Sequence, residues 1–525
     1  MTLALESDTS ANVSSAPGME RRKAAILLGS ILVVALCGIV YELIIGTVSS
    51  YLIGNSVYQF SITIGFFMFA MGAGSYLSRF ILRDLVQTFI WVELALSIVG
   101  GLCSITLFMV FPYAPWAYQG VMFGFIFAIG CLVGLEIPLL TRVLEKGSST
   151  RESLANVLSL DYVGALAGSV AFPMLLLPTL GLIASSFAIG LVNASVAFFN
   201  VIWLREHIRR PRLMMAAVAV TLAALVGLTA AASRITAFAQ DHLYFDRIVY
   251  RQTSPYQSLV VTNEWGSDDL RLFIDGHLQF SQRDEYRYHE ALVHPVMSLG
   301  KPPRRVLVLG GGDGLAVREL LRHEGVEHID LVDLDPAMTA LGEDFAPLRR
   351  LSEDAMHDPR VAVHNTDAFV FVRDCGAPYD RAIVDFPDPH NEALSKLYSV
   401  EFYSMLSRCL TADGAMVTQS SSPFFARDTY WTVARTLEDI FAERESYHLS
   451  IPSFGVWGFH IARKGGSGTY RDLPDDLHYL DEATFASARV FPRDTRRPET
   501  LKANSIFNPV LYRVYSGDMK RRPPR

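Results

Sequence analysis

At 525 residues the chain is too long for one ordinary domain, and its apolar content is split unevenly, densest before residue 233. A net charge of −7 leaves no basic footprint for a nucleic acid, and five cysteines without paired metal spacing leave neither a metal centre nor a redox compartment legible. In chain order, residues 1–23 are polar and small without periodicity and read as a disordered leader. Residues 24–233 hold about seven candidate helices, centred near Val34, Phe67, Ile98, Phe127, Val170, Val192 and Leu222. Each offers roughly the 20 apolar residues needed to cross a hydrocarbon core, so this part is expected to be a polytopic α-helical membrane domain. Small residues recur in it, Cys37, Cys103 and Cys131 among them, which suits close helix packing. The first stretch, flanked by Arg21, Arg22 and Lys23, has no small-residue cleavage site behind it and reads as a retained helix rather than a signal peptide.

Positive charge falls in every second loop: Arg79 with Arg83, Arg142 with Lys146 and Arg151, then Arg205, Arg209, Arg210 and Arg212. The loops near Gly54, Pro112 and Gly181 carry none. Basic loops and N-terminus are therefore expected on the cytoplasmic side of the cell (inner) membrane. Seven full crossings would deliver the rest of the chain to the opposite side. Leaving the stretch Leu213 to Ala232 uncrossed violates no charge rule and keeps the following domain cytoplasmic, and the sequence leans that way. Glu42, Glu93, Glu136 and Asp161 lie within or at the ends of the spans, where ionised groups are costly. Either they sit near interfaces or pair with the nearby arginines, or, all being acidic, they suit a cationic ligand.

From Leu243 the pattern changes to short alternating runs, Leu259 to Thr262 and Leu270 to Asp275, then a turn at Asp275-Gly276 and another run from Leu278. Residues 241–300 thus predict a small antiparallel β unit. Residues 301–465 follow Pro302-Pro303 with strand Arg305 to Gly310, helix Ala316 to Glu324, and strands His328 to Asp333, Val361 to His364 and Arg381 to Asp385. Helix Ser395 to Leu410 and strand Ala415 to Gln419 complete the alternation. It predicts a C-terminal α/β domain with a parallel, Rossmann-like sheet of methyltransferase type. Residues 466–525 form a C-terminal extension whose tail, Lys520-Arg521-Arg522, reads as solvated.

Ligands of an open parallel sheet bind beyond the carboxyl ends of its strands. The turn Gly310 to Gly314 and the acids Asp333, Asp367 and Asp385 all occupy such ends. Glycine permits close approach of backbone to ligand. Asp333, about 20 residues beyond the turn, can accept from both ribose hydroxyls or cap the helix at Pro336. Asp367 can accept from an adenine amino group or N-cap the helix carrying Phe369. Asp385-Phe386-Pro387-Asp388-Pro389 sets two carboxylates on a turn stiffened by prolines, the strongest catalytic candidate.

Asp275-Gly276, Gln279, Arg283-Asp284-Glu285, Tyr288-His289-Glu290, the Gly310 to Gly314 turn and Asp385-x-x-Asp388-Pro389, in that order, resemble the spermidine synthase (polyamine aminopropyltransferase) family. The match runs from Tyr256-Gln257 to Gly458-Phe459. Tyr41-Glu42-Leu43, Glu136-Ile137-Pro138-Leu139-Leu140 and Asp161-Tyr162-x-Gly164-Ala165-Leu166 look like the multi-pass bacterial variety. The resemblance implies decarboxylated S-adenosylmethionine as co-substrate, no metal or other cofactor, and a homodimer. It places Gln257, Gly310, Gly312, Asp313, Asp333 and Asp367 on the donor, with Asp313 and Asp385 at its ammonium. Gln279, Glu285, His289 and Asp388 fall on the acceptor side, and Asp385 is the expected base. Asp313 would repel the carboxylate of ordinary S-adenosylmethionine, which argues against a methyl donor. Where relatives carry two tyrosines this chain has Trp265, in Glu264-Trp265-Gly266-Ser267, and Phe454; Tyr398 is the nearest replacement for the lost phenols. Tyr288 reads equally as core. Two other readings stay open, a methyltransferase of related fold and a non-catalytic polyamine sensor coupled to transport.

Overall fold

The structure, a computed structural model, describes residues 21–53, 56–144, 150–244, 246–465 and 468–521. The expected leader up to residue 20, the loop at Gly54, Lys146 and Arg522 lie outside them. The chain divides into two units, residues 1–243 and 244–525.

Long apolar segments satisfy their backbone groups internally as helix, and the first unit is a bundle of them: α1 (Arg21–Ile53), α2 (Ser56–Leu77), α3 (Leu85–Tyr113), α4 (Pro115–Leu144), α5 (Thr150–Ala171), α6 (Leu177–Trp203) and α7 (Pro211–Ala230), followed by α8 (Ala232–Tyr244). α1 opens at Arg21, inside the expected leader. Among the described residues six helical segments are long and apolar enough to cross a membrane. The one from Arg151 to Trp203 contains two of the seven predicted stretches. As a single rod its 53 residues would reach about 80 Å, far beyond a bilayer core. A π-helical turn at Phe172–Leu176, where Pro173 has no N–H to give, and Gly181 at φ 72° break it. Its halves run along α1 in opposite senses: Gly164 and Gly168 of α5 meet Leu32 and Leu36, whereas Ile189 and Asn200 of α6 bond Cys37 and Ser30. Close contact excludes side chains there; a Cβ on Gly164 would stand 2.2 Å from the Leu32 carbonyl oxygen, and one on Gly134 2.1 Å from that of Met71.

The seventh segment packs along the sixth. Met214 and Val218 of α7 share a core with Val201 and Leu204, and Leu225 reaches Gly190 and Gly101, so α7 runs the length of α6 antiparallel to it. Nothing in its packing marks it as the uncrossed stretch. Glu93 and Glu136 are 0% and 5% exposed and stand beside one another. Both carboxylate oxygens of Glu93, Oε1 of Glu136, the Asn193 amide oxygen and the Tyr41 hydroxyl are buried without a hydrogen-bond partner, so pairing with arginines is not what holds these two acids.

The second unit opens with an antiparallel sheet in the order of the chain: β1 (Arg247–Thr253), β2 (Ser258–Asn263), β3 (Leu270–Ile274) and β4 (His277–Ser281). Asp275 and Gly276 both take positive φ in the turn between β3 and β4, as a two-residue hairpin requires. After α9 (Glu285–Ser298) comes the main alternation: β5 (Arg305–Gly310), α10 (Leu315–Leu321), β6 (His328–Asp333), α11 (Pro336–Asp344), α12 (Ala346–Leu351), β7 (Val361–Asn365), α13 (Ala368–Phe371) and β8 (Tyr379–Asp385). α14 (Glu392–Ser395), α15 (Val400–Cys409), β9 (Leu410–Gln419), α16 (Arg427–Glu438), β10 (Glu443–Ile451) and β11 (Gly455–Arg463) complete a seven-stranded sheet ordered β10-β11-β9-β8-β5-β6-β7. Five strands are parallel, while β10 and β11 pair antiparallel at one edge. Winding reverses between β5 and β8, the switch point where open α/β sheets hold ligands.

The last sixty residues are not an appendage. Glu290 on α9, 1% exposed, accepts the backbone N–H groups of His478, Tyr479 and Leu480 at 2.7, 2.9 and 2.8 Å, and α17 (Glu482–Ala488) and α18 (Leu511–Arg521) pack onto the same unit. The structure also joins Cys375 to Cys409 (Cα–Cα 5.8 Å), a pairing that the sequence spacing did not show.

Candidate active site

β5 pairs with β8 so that Gly310 lies beside Asp385 at the sheet's switch point. A Cβ on Gly310, at φ 83°, would fall 2.2 Å from the Asp385 carbonyl oxygen, and one on Gly312 would fall 2.7 Å from Asp333 Oδ2. The turn must be bare because two strand-end acids close in on it. Gly312 N–H donates to Asp333 Oδ2 at 3.1 Å and Asp335 N–H to Oδ1 at 2.9 Å. The helix start at Pro336 is capped by Asp335, whose carboxylate accepts from Ala337 N–H at 3.0 Å, so Asp333 is not spent on capping. Asp367 does cap α13, accepting from Phe369 N–H at 2.8 Å, and its other oxygen takes Lys396 Nζ at 2.8 Å.

These groups open into one cavity of about 830 Å³. Gly310 to Asp313, Asp333, Asp367, Asp385 and Asp388 line it from the large sheet, His289 from α9, and Gln257 and Gln279 from the small sheet. Asp385 Oδ1 accepts the Tyr288 hydroxyl at 2.5 Å. Asp388 Oδ2 accepts the hydroxyls of Ser421 and Tyr515 at 3.2 and 3.1 Å, while its Oδ1 is buried without a partner.

Burial lifts the carboxyls of Asp333, Asp385 and Asp388 each to about 6, and raises Asp313 as well. At Asp385 the Asp313 charge adds to the rise, while His289 and the Tyr288 hydroxyl oppose it. Burial alone would depress His289, but Glu285, with Asp313 and Asp385, outweighs it and holds the imidazole above its ordinary value. The result is a water-shielded, acid-lined cavity that gathers cations and holds carboxyls poised to trade a proton near neutral pH.

Two expected site residues lie elsewhere. Glu285 does not line the cavity. Arg318 grips both its oxygens at 2.8 and 3.0 Å, and Oε2 also meets His289 Nδ1 at 2.7 Å. Neutralised in this way, with its pKa lowered although burial opposes it, Glu285 orients His289 instead of meeting an ammonium. Tyr398 is fully buried behind the Asp385-to-Asp388 turn; its hydroxyl donates to the carbonyls of Phe386 and Pro387 at 3.1 and 3.0 Å and accepts from Gln419 Nε2 at 2.7 Å. It stiffens the turn and supplies no free phenol. Of the two positions without the expected tyrosine, Trp265 is 72% exposed and away from the cavity, whereas Phe454 forms part of its wall. The phenols that do reach the carboxylates are Tyr288, which the sequence left evenly between core and site, and Tyr515, which it did not single out.

A phosphate- or carboxylate-bearing cofactor would be repelled by an acid set inside the glycine turn. Fold and site together define an enzyme class, one that binds a nucleoside on a methyltransferase-type sheet and handles cationic groups beside it. Residues 285–469 match the family described as Spermine/spermidine synthase domain. Over 498 residues the chain is 43% identical to Polyamine aminopropyltransferase 1 of Streptomyces coelicolor, covering 93% of each, and over 492 residues it is 41% identical to Polyamine aminopropyltransferase of Leptospira interrogans, covering 94% of this chain and 98% of that one. The chain belongs to the polyamine aminopropyltransferase (spermine/spermidine synthase) family, and the similarity runs through the helical unit. It is also similar to a crystal structure of spermidine synthase in complex with the transition state analogue AdoDATO, at 24% identity over 47% of this chain and 86% of that one (TM-score 0.44). The spermidine synthase of Thermotoga maritima is similar at 25% identity over 47% and 85% (TM-score 0.43).

Proposed function

We propose that the protein transfers the aminopropyl group of decarboxylated S-adenosylmethionine to putrescine, giving spermidine and methylthioadenosine. The observation that carries this reading is Asp313 in the glycine turn facing the same cavity as Asp385, a carboxyl held near 6 with a phenol bonded to it. In this reading Asp333 takes the ribose hydroxyls, Asp367 the adenine amino group, and Gln257 a further part of the donor. Asp313 and Asp385 hold its ammonium. Gln279, His289 and Asp388 face the acceptor. A free alkylamine is almost wholly protonated at neutral pH, by analogy with lysine. Asp385 removes one proton, the freed nitrogen attacks the carbon bound to the sulfonium, and the carbon–sulfur bond breaks with its electron pair left on sulfur. Methylthioadenosine departs neutral, and the positive charge passes to the new secondary amine. Alignment of nitrogen, carbon and sulfur in the closed cavity supplies much of the rate.

Six helical segments of spanning length and composition support placing the protein in the cell membrane. The assay is purified protein with decarboxylated S-adenosylmethionine and a series of amines, reading methylthioadenosine. Release with a diamine supports the reading, and no release with any amine overturns it. Tighter binding of ordinary S-adenosylmethionine would instead favour a methyltransferase.

One observation favours a second activity in the helical unit. Glu93 and Glu136 are buried side by side with Asn193 among the apolar helices, an arrangement suited to holding a shared proton. Uptake of labelled putrescine into proteoliposomes, abolished by Glu93→Gln, would establish it, and absence of uptake in wild type would discard it.

A further inference from the structure

We infer that the C-terminal helix α18 selects the acceptor, with Tyr515 as a positioning residue for Asp388 and Met519 as the cover over the acceptor's methylene chain. This rests on the transfer reading and goes beyond it. α18 lies outside the residues that match the family domain.

The helix is anchored on one side and functional on the other. Leu511 is fully buried in the core that contains Tyr398 and Phe402, and its N–H donates to Asn504 Oδ1 at 3.2 Å. Asn504 in turn donates to the carbonyls of Ser395 and Tyr398 at 2.8 and 3.1 Å. Near the other end Asp518, 7% exposed, accepts the N–H and hydroxyl of Thr429 at 3.0 and 2.9 Å. With both ends fixed, Tyr515 and Met519, one turn apart on the helix, line the active-site cavity.

Tyr515 and Ser421 donate to the same oxygen of Asp388, Oδ2. A carboxylate held through one oxygen by two donors has its rotation fixed, and Asp388 so held stands in the wall of the cavity. A primary ammonium carries three donors and no acceptor, the complement of a carboxylate fixed in this way. The apolar neighbours Phe454 and Trp457 offer no phenol on that side, so Tyr515 supplies it. Between the two ammonium ends of a diamine lies an alkyl chain, for which the flexible thioether of Met519 is a fitting surface.

The test uses the full-length protein with propylamine, 1,3-diaminopropane, putrescine and cadaverine, reading KM and kcat by methylthioadenosine release. Amine binding is measured in parallel by calorimetry in the presence of methylthioadenosine. Tyr515→Phe is expected to raise the diamine KM and dissociation constant about tenfold, the cost of loosening a charge-assisted hydrogen bond. The donor KM and propylamine binding should stay put, because propylamine has no second ammonium. Met519→Ala should shift preference towards cadaverine. Wild-type diamine affinity and length preference in both variants would overturn the proposal, as would equal losses for propylamine, diamines and donor, which would mean that α18 acts only on the fold. Should wild type release no methylthioadenosine at all, the transfer reading fails on its own, and the calorimetric arm still decides whether α18 selects amines.

Discussion

Asp385 carries the proton in the proposed reaction, and its surroundings dictate how it should fail. Asp385→Asn keeps shape but loses the base, so kcat should fall by roughly 10²–10⁴, the usual worth of a positioned general base, with donor binding retained in equilibrium dialysis. Turnover near wild type would remove Asp385 from the mechanism. A base must be ionised to act. With its carboxyl lifted to about 6 by burial, kcat/KM should fall about tenfold per pH unit below that value and level off above it. The Tyr288 hydroxyl donates to the ionised form and so holds the pKa down against burial and Asp313. Tyr288→Phe should therefore move the acid limb of the pH–rate profile upward, and a limb left in place would uncouple the two residues. Sequence singled out one of this pair and left the other evenly between core and site. Asp385 ends an apolar strand before two prolines, a local signal, whereas Tyr288 earns its role only through a contact 97 residues away. The setting of Glu285 was hidden for the same reason: its neutralising partner, Arg318, sits on the next helix in a position no spacing rule reveals.

The elements that position the site were legible where burial on both faces made them so. β5 runs as unbroken Val and Leu from Val306 to Leu309, β6 keeps Ile329, Leu331 and Val332 around a single Asp330, and the observed bounds of both equal the predicted ones. β1 escaped notice because it is an edge strand with mostly exposed residues, Arg, Gln and Thr among them, and its antiparallel partners are needed to define it. The predicted helix from Ser395 to Leu410 breaks where Ser399 turns extended (ψ 160°) and caps α15 by accepting from Phe402 N–H at 3.2 Å. That break frees the segment carrying Lys396 and Tyr398 to brace Asp367 on one side and the Asp385 turn on the other. At this scale the glycine turn is the element most sensitive to change. A methyl group on Gly312 would press on Asp333 Oδ2 at 2.7 Å and Met338 Cγ at 3.0 Å, and Asp333 is the side that can give way towards the cavity. Gly312→Ala should accordingly raise the donor KM more than about tenfold, an expected loss of the order of one charge-assisted hydrogen bond. The acceptor KM should change little, and the reverse pattern would move Asp333 out of the donor site.

Across the whole molecule the number of helices and the placement of charge pull in different directions. The seven apolar stretches, their recurring small residues and the basic loops were readable because each is a local property of composition. Whether α7 crosses depends on packing, and in the structure it lies along α6 in the opposite sense from Met214 to Leu225. In a membrane, successive helices that alternate in direction place the start and end of α7 at opposite faces. Arg212 at its start belongs with the basic loops, which the charge rule assigns to the cytoplasm, and Ser233 follows its end. Cysteines introduced as Arg212→Cys and Ser233→Cys both fall at exposed positions; Cys37 and Cys103 are buried, and the half-buried Cys131 is replaced by serine in the background protein. With a membrane-impermeant maleimide on intact cells, Ser233→Cys should be labelled at once and Arg212→Cys only after permeabilisation. Labelling of both from one face would show that α7 turns back within the bilayer, and would restore a cytoplasmic start for the second unit, where a cytosolic nucleoside donor is at hand. Opposite faces would mean that the donor and amine must reach a catalytic unit beginning across the membrane.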